Sequence, residues 1–175
     1  MRHQKYNQHT RVILFTLAIF GMTACRTNPT PGSSVEPTPT QTEAAIAAEN
    51  YADVHSVQAT GEPGAFLFAV ELSSPDTGCE RYADWWEVVS EGGQLLYRRT
   101  LLHSHVDEQP FVRSGGPVDI AADTVVYVRS HMNTTGYGGT VMKGTVQDGF
   151  KPAEVEAGFG FGLERIPPQP EDCAF

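Results

Sequence analysis

The 175-residue chain is short of cysteine, of basic residues and of long apolar runs, and each shortage removes a class of protein. Three cysteines are too few for a disulfide-dense scaffold. Twelve Lys and Arg against 21 Asp and Glu leave a net charge of −9. A surface of that sign repels phosphate, so nucleic acid is excluded as a partner and anionic lipid headgroups are disfavoured. The longest apolar run, residues 12–22, holds eleven residues, where a membrane-spanning helix needs about 20. There is no Gly-x-Ser-x-Gly elbow, no His-Glu-x-x-His and no phosphate-cradling glycine loop, so no standard motif for nucleophilic, zinc-protease or nucleotide chemistry is present. Loop acids such as Asp76 lack the spacing of a calcium loop.

What is present is a foldable core with many turn formers. Apolar residues make up 40% of the chain, with 17 glycines and 12 prolines. Enough apolar surface to bury, broken by frequent turns, favours an all-β domain over a helical one.

The N-terminus is organised differently. Residues 1–11 are polar and basic, residues 12–22 are apolar, and a small-residue exit follows, Met22-Thr23-Ala24-Cys25. A basic head, a short apolar middle and a small-residue exit describe a signal peptide over residues 1–24. The exit resembles the lipobox of bacterial lipoproteins, with Met22 in place of the usual Leu. The resemblance covers residues 1–25 and implies lipidation of Cys25 by acyl chains such as palmitate. More than one chain is needed for stable anchoring. It also implies a place in the bacterial cell envelope. Arg26 stands where Asp would signal retention in the inner membrane, so the expectation is the outer membrane in a two-membrane organism, with the domain facing periplasm or exterior. Processing before Cys25 would remove three basic residues and leave about −12.

Residues 25–42 form a linker rich in Pro, Thr and Ser, whose composition favours extended polyproline II structure, roughly 50 Å long at about 3.1 Å per residue. Residues 43–52 begin with good helix formers and read as a short helical lead-in. With Cys25 given to lipid, Cys79 and Cys173 remain as a pair, expected to bridge in an oxidising compartment. Such a bridge closes a loop of about 90 residues and stabilises by about 4 kcal/mol in the chain-entropy picture.

Residues 53–149 read as an immunoglobulin-like or fibronectin-III-like β-sandwich of seven or eight strands, with a closed or jelly-roll barrel as the alternative. In residues 64–73, Phe66, Phe68, Val70 and Leu72 alternate onto one face. Residues 82–90 and 94–102 flank a glycine turn as a hairpin. Short strands follow near Phe111 and over 118–120, a strong one over 124–132, and the last clear one over 140–146. Tryptophans 85 and 86 fall on opposite faces of their strand, and the pattern does not decide which is buried. Residues 150–175 read as a Gly- and Pro-rich tail tied down by the disulfide.

Three places carry possible chemistry. The first is His103-Ser104-His105, read on a strand, where two positions apart means the same side. His131 offers a third imidazole, and Glu108 or Asp107 an oxygen. Such donors suit zinc or copper. The same segment faintly resembles the first cupin motif, although its Glu comes too early and its upstream Gly is missing. The resemblance implies a metal enzyme. The second is Arg98, Arg99, Arg113 and Arg129, expected to pair across strands with Asp84, Glu87 or Asp107, or else to recognise a carboxylate ligand. The third is the loop around Tyr137, an aromatic among glycines at one end of the sandwich, where ligands often bind. The expectation is therefore a lipid-anchored binding or envelope-structural module, partnered by an envelope protein or polymer. The alternatives are a metal-binding protein and, further off, a cupin-type enzyme or hydrolase. The whole pattern looks like that of uncharacterised bacterial lipoproteins carrying an immunoglobulin-like domain.

Overall fold

The computed structural model describes residues 50–174. The signal peptide, Cys25, the linker and most of the 43–52 segment lie outside the described residues. Eight strands are formed: β1 (Asp53–Thr60), β2 (Phe66–Ser73), β3 (Ala83–Ser90), β4 (Leu95–Thr100), β5 (Phe111–Val118), β6 (Val126–Met132), β7 (Val141–Thr145) and β8 (Gly149–Ala153). They make two antiparallel sheets, ordered β1-β2-β5 and β4-β3-β6-β7-β8. Consecutive strands exchange sheets between β2 and β3, β4 and β5, and β5 and β6. This is a sandwich with both sheets open, as the strand spacing predicts, and not a barrel.

The alternation in β2 drives the packing. Phe66, Phe68, Val70 and Leu72 are all buried and face Trp86 and Val88 of β3 and Val126 and Val128 of β6 across the interior. Trp86 is wholly buried there. Its indole sits where β5 carries Gly115, since a Cβ at that position would lie 3.0 Å from Trp86 Cζ2 and 2.6 Å from the Tyr97 hydroxyl. Trp85, on the other face of β3, is buried as well. Both indoles are therefore inside, under two different covers.

The second cover is the tail. β3 is buried along seven of its eight residues, which a strand with one solvent-facing side could not be. Residues 154–168 lie over the outer face of the five-stranded sheet, anchored by the buried side chain of Leu163 in a short 3-10 turn, Leu163–Arg165. A disulfide joins Cys79 to Cys173, with Cα atoms 5.6 Å apart.

Three local readings are corrected. β4 stops at Thr100, so His103 and His105 are in a loop and not on a strand. The run near Phe111 extends as one strand, β5, to Val118, and Asp119 and Ile120 lie beyond it instead of in a strand of their own. An eighth strand, β8, pairs with β7 where the sequence reads as tail, because Gly144 lets the backbone of Gly149 and Phe150 approach closely.

Candidate metal centre

After β4 the chain leaves the sheet at Leu101 and turns back toward β5. Its fixings are few. Leu101 N–H donates to Asp84 O at 2.8 Å, and Ala174 N–H donates to Leu102 O at 2.6 Å. His103 forms an isolated parallel bridge with Ala174. The Asp76 carboxylate then holds the next residues, accepting from His105 N–H at 2.8 Å and from the Ser104 hydroxyl at 3.5 Å, while its other oxygen accepts from Ala83 N–H at 2.9 Å. Beyond His105 a turn brings Glu108 N–H to His105 O at 3.2 Å, and the Gln109 amide donates to the same carbonyl at 2.9 Å. The turn returns Glu108 toward the two histidines.

The result is one cluster of donors. A nitrogen of His103, a nitrogen of His105 and a carboxylate oxygen of Glu108 all lie within 4.8 Å of one another. Bonds of about 2.1 Å in a tetrahedral zinc site require donors about 3.4 Å apart. His103 and Glu108 are both exposed and can close that difference, Glu108 by giving up its bonds from Arg113, whereas His105 is fixed.

His105 is the unusual member. It is 3% exposed, and its ring stacks on Phe111 with centroids 3.8 Å apart and planes 9° apart. Neither ring nitrogen has a hydrogen-bond partner. The nearest acid, Asp76, is 3.8 Å from Nδ1, too far for a hydrogen bond. Burial, helped by the positive charge of Arg113, pushes its pKa down to about 4. At neutral pH it is therefore an uncharged imidazole with a lone pair unused by the protein. A buried polar group without a partner costs about 1–3 kcal/mol, and such groups call for an explanation. Glu108 is ionised over the same range. Its hydrogen bonds from Arg113, the shorter at 2.8 Å, hold its pKa below the usual carboxylate value.

His131 is not part of this cluster. Its ring stacks on Trp85 at 3.8 Å, and Nδ1 pairs with Asp84 Oδ1 at 2.7 Å. The pairing follows from an irregularity in register between Ala83 and Trp85, which leaves Asp84 unmatched on β3 and turns its carboxylate toward β6. Burial raises the Asp84 pKa, and the histidine works against that rise. Asp107 is likewise outside the converging set.

The arginines divide between the two covers. Cross-strand register sets Arg98 of β4, Glu87 of β3 and Arg129 of β6 in one row on the outer face. Glu87 Oε2 accepts from Arg98 Nη2 at 2.6 Å, and Oε1 accepts from Arg129 Nε at 2.8 Å. Arg98 also donates to the carbonyls of Leu163, Ile166 and Pro168, and Arg129 to that of Phe159. The row is a clasp for the tail. Arg113 is on the other sheet, paired with Glu108. Arg99 is opposite Trp86 in the register, on edge strand β4, and is exposed. Tyr137 is held against the clasp, with the Arg129 guanidinium 3.6 Å over its ring and the Trp85 indole edge-on. Burial pushes its hydroxyl pKa up to about 12.

Asp76 and Phe111 are the site residues that the sequence pattern does not identify as such. Asp76 is far in sequence and reads as a loop acid, and Phe111 reads as ordinary core.

No known protein family matches the chain, and no solved structure matches it. A protein of Halomicrobium mukohataei named "Putative lipoprotein" is 40% identical over 117 residues, a match covering 62% of this chain and 57% of that protein. The chain thus spans little more than half the length of that relative, and what the two share is sequence similarity to a protein bearing a lipoprotein name.

Proposed function

We propose that this protein is a lipid-anchored, extracytoplasmic β-sandwich that binds a divalent transition metal, zinc or copper, through His103, His105 and Glu108. The observation that carries the metal reading is His105, an uncharged buried imidazole with both nitrogens unpartnered, beside two exposed donors that can close on it. Two imidazoles and a carboxylate suit zinc, and equally copper(II). Three protein ligands at an open surface leave at least one position for water or a small ligand.

The anchor rests on the signal-peptide pattern, on Cys25 in its lipobox and on the name of the relative. Cys25→Ala is expected to release the protein from membranes and abolish fatty-acid labelling. Full membrane retention with label would reject the anchor.

Metal analysis of the exported, untagged protein, with His103→Ala/His105→Ala beside it, tests the site. Near-stoichiometric zinc or copper in the parent and none in the double variant is the expected result. An empty parent that takes up neither metal on addition rejects the reading.

A second reading, capture of an envelope protein or polymer, is favoured by Phe161. That side chain is 84% exposed on the tail, beside a groove of about 1010 Å³ that Tyr137 and Arg129 also line. If the reading is right, Phe161→Ser weakens co-purification of the partner with its metal content unchanged.

A further inference from the structure

We infer that the Cys79–Cys173 disulfide controls metal affinity: oxidation assembles the His103–His105–Glu108 site, and reduction loosens it. The inference rests on the metal reading above and concerns how that site is regulated.

Both sulfurs lead directly to ligands. On one side, Cys173 is followed by Ala174, which forms the bridge with His103 and donates its N–H to Leu102 O. On the other, Cys79 closes the loop that carries Asp76, whose carboxylate fixes the backbone of His105. The ligand loop, outside any strand itself, is thus braced at His103 by the tail and at His105 by the Cys79 loop and by the stack on Phe111. The disulfide ties the two braces together.

The tail has little else to keep Ala174 in place. Leu163 is the one buried residue after Ala153 among the described residues. Glu171, Asp172 and Ala174 are exposed. The last fixings ahead of the disulfide are the Arg98 bond to Pro168 O and the Gln169 bonds to the carbonyls of Glu164 and Ile166. With the bridge open, residues 170–174 keep, among the described residues, one backbone hydrogen bond, at Ala174, against an entropic cost of ordering of about 1–2 kcal/mol per residue. Ends so held fray. The clasp of Arg98 and Arg129 on Glu87 lies upstream and does not depend on the bridge, so fraying is local and the sandwich stays folded.

The chemistry balances with a phosphine as reductant. Its phosphorus takes one oxygen from water and is oxidised to the phosphine oxide. The S–S bond takes the two electrons and two protons and becomes the thiols of Cys79 and Cys173. In the cell a dithiol protein would do the same and close its own disulfide. A chain still reduced before export would hold metal weakly, and oxidation outside the membrane would set the site.

The test measures zinc dissociation constants, with zinc chloride as the probe, on the full-length protein in detergent. The oxidised parent, the phosphine-reduced parent, Cys79→Ser/Cys173→Ser and Ala174→Pro are compared, with unfolding followed by tryptophan fluorescence. Ala174→Pro keeps the disulfide and removes the N–H that Leu102 accepts. The expected result is a dissociation constant raised about tenfold or more in the last three, each still folded. A folded serine pair that binds as tightly as the oxidised parent overturns the inference. So does tighter binding on reduction, which would make the thiols ligands. Should the serine pair fail to fold, unchanged affinity in Ala174→Pro overturns it instead. An oxidised parent that binds no zinc rejects the metal site itself, a separate failure.

Discussion

Glu87 and Arg98 meet in a two-point contact, Nε at 2.9 Å and Nη2 at 2.6 Å from one carboxylate oxygen, with both side chains fully buried. The other oxygen takes Arg129, so two cations share one anion, and the surplus positive charge faces the carbonyls of the tail. The charged row is therefore what makes the tail part of the fold, since that segment buries little apolar surface of its own. Removing one member of a buried charged group leaves its partners uncompensated, at a cost of about 3–5 kcal/mol. Glu87→Gln is expected to lose about that much stability in urea unfolding and to expose residues 154–168 to limited proteolysis. A loss below about 1 kcal/mol with the tail still protected would show that the clasp is dispensable.

The depressed pKa of His105 makes the metal-free protein acid-sensitive in a defined window. An unfolded histidine titrates near 6.5 and the folded one near 4. Between those values the unfolded chain binds the extra proton, so stability is full above about pH 6.5 and falls as pH drops toward 4. The loss attributable to His105 is about 3 kcal/mol once the window is crossed. Asp84, whose pKa burial raises, acts in the opposite direction. The comparison is therefore with His105→Leu, whose stability between pH 7 and 4.5 should fall less than the parent's. Parallel curves for the two would reject the assignment.

His131 is assigned to structure, and its removal separates that role from metal binding. His131→Ala deletes the stack on Trp85 and leaves the Asp84 carboxylate buried without its partner. The expected cost is about 1–3 kcal/mol, with metal stoichiometry unchanged. Loss of metal from a folded His131→Ala would return this residue to the ligand set.

The sandwich was legible because β-strand burial leaves a period of two in the sequence, and Phe66, Phe68, Val70 and Leu72 carry it cleanly. The pairing of Arg98 and Arg129 with Glu87 was legible as a class of interaction, since opposite charges on neighbouring strands invite ion pairs. That these charges are buried was not, because burial depends on where residues 154–168 travel, and a Gly- and Pro-rich segment has no periodicity to show it. Trp85 is buried by the same segment, whereas Trp86 lies in the core between the sheets. The His-x-His grouping was legible from spacing, but on a mistaken premise. Strand alternation does not bring His103 and His105 together. The Asp76 carboxylate holds the stretch at Ser104 and His105, and the turn at 105–108 brings Glu108 to it. The sequence places His131 with them at the end of a strong strand, and only the register of β3 against β6 sets it against Trp85 instead.

Gly115 offers a test of the core that is independent of any ligand. It sits on β5 opposite Phe68 in the register, a position where a glycine normally weakens a strand. Its presence follows from the Trp86 and Tyr97 side chains, which already occupy the space a Cβ would need. Tyr97 is on β4 and can retreat toward solvent, but Trp86 is closed in between Phe68, Val88 and the two sheets. Forcing a methyl into such packing costs about 1–3 kcal/mol. Gly115→Ala should therefore lower the urea midpoint and perturb tryptophan fluorescence while leaving metal content intact, because Phe111 and the His105 stack lie at the far end of the same strand. A neutral Gly115→Ala would mean that the indole has room to move, and that the core is looser around Trp86 than the contacts imply.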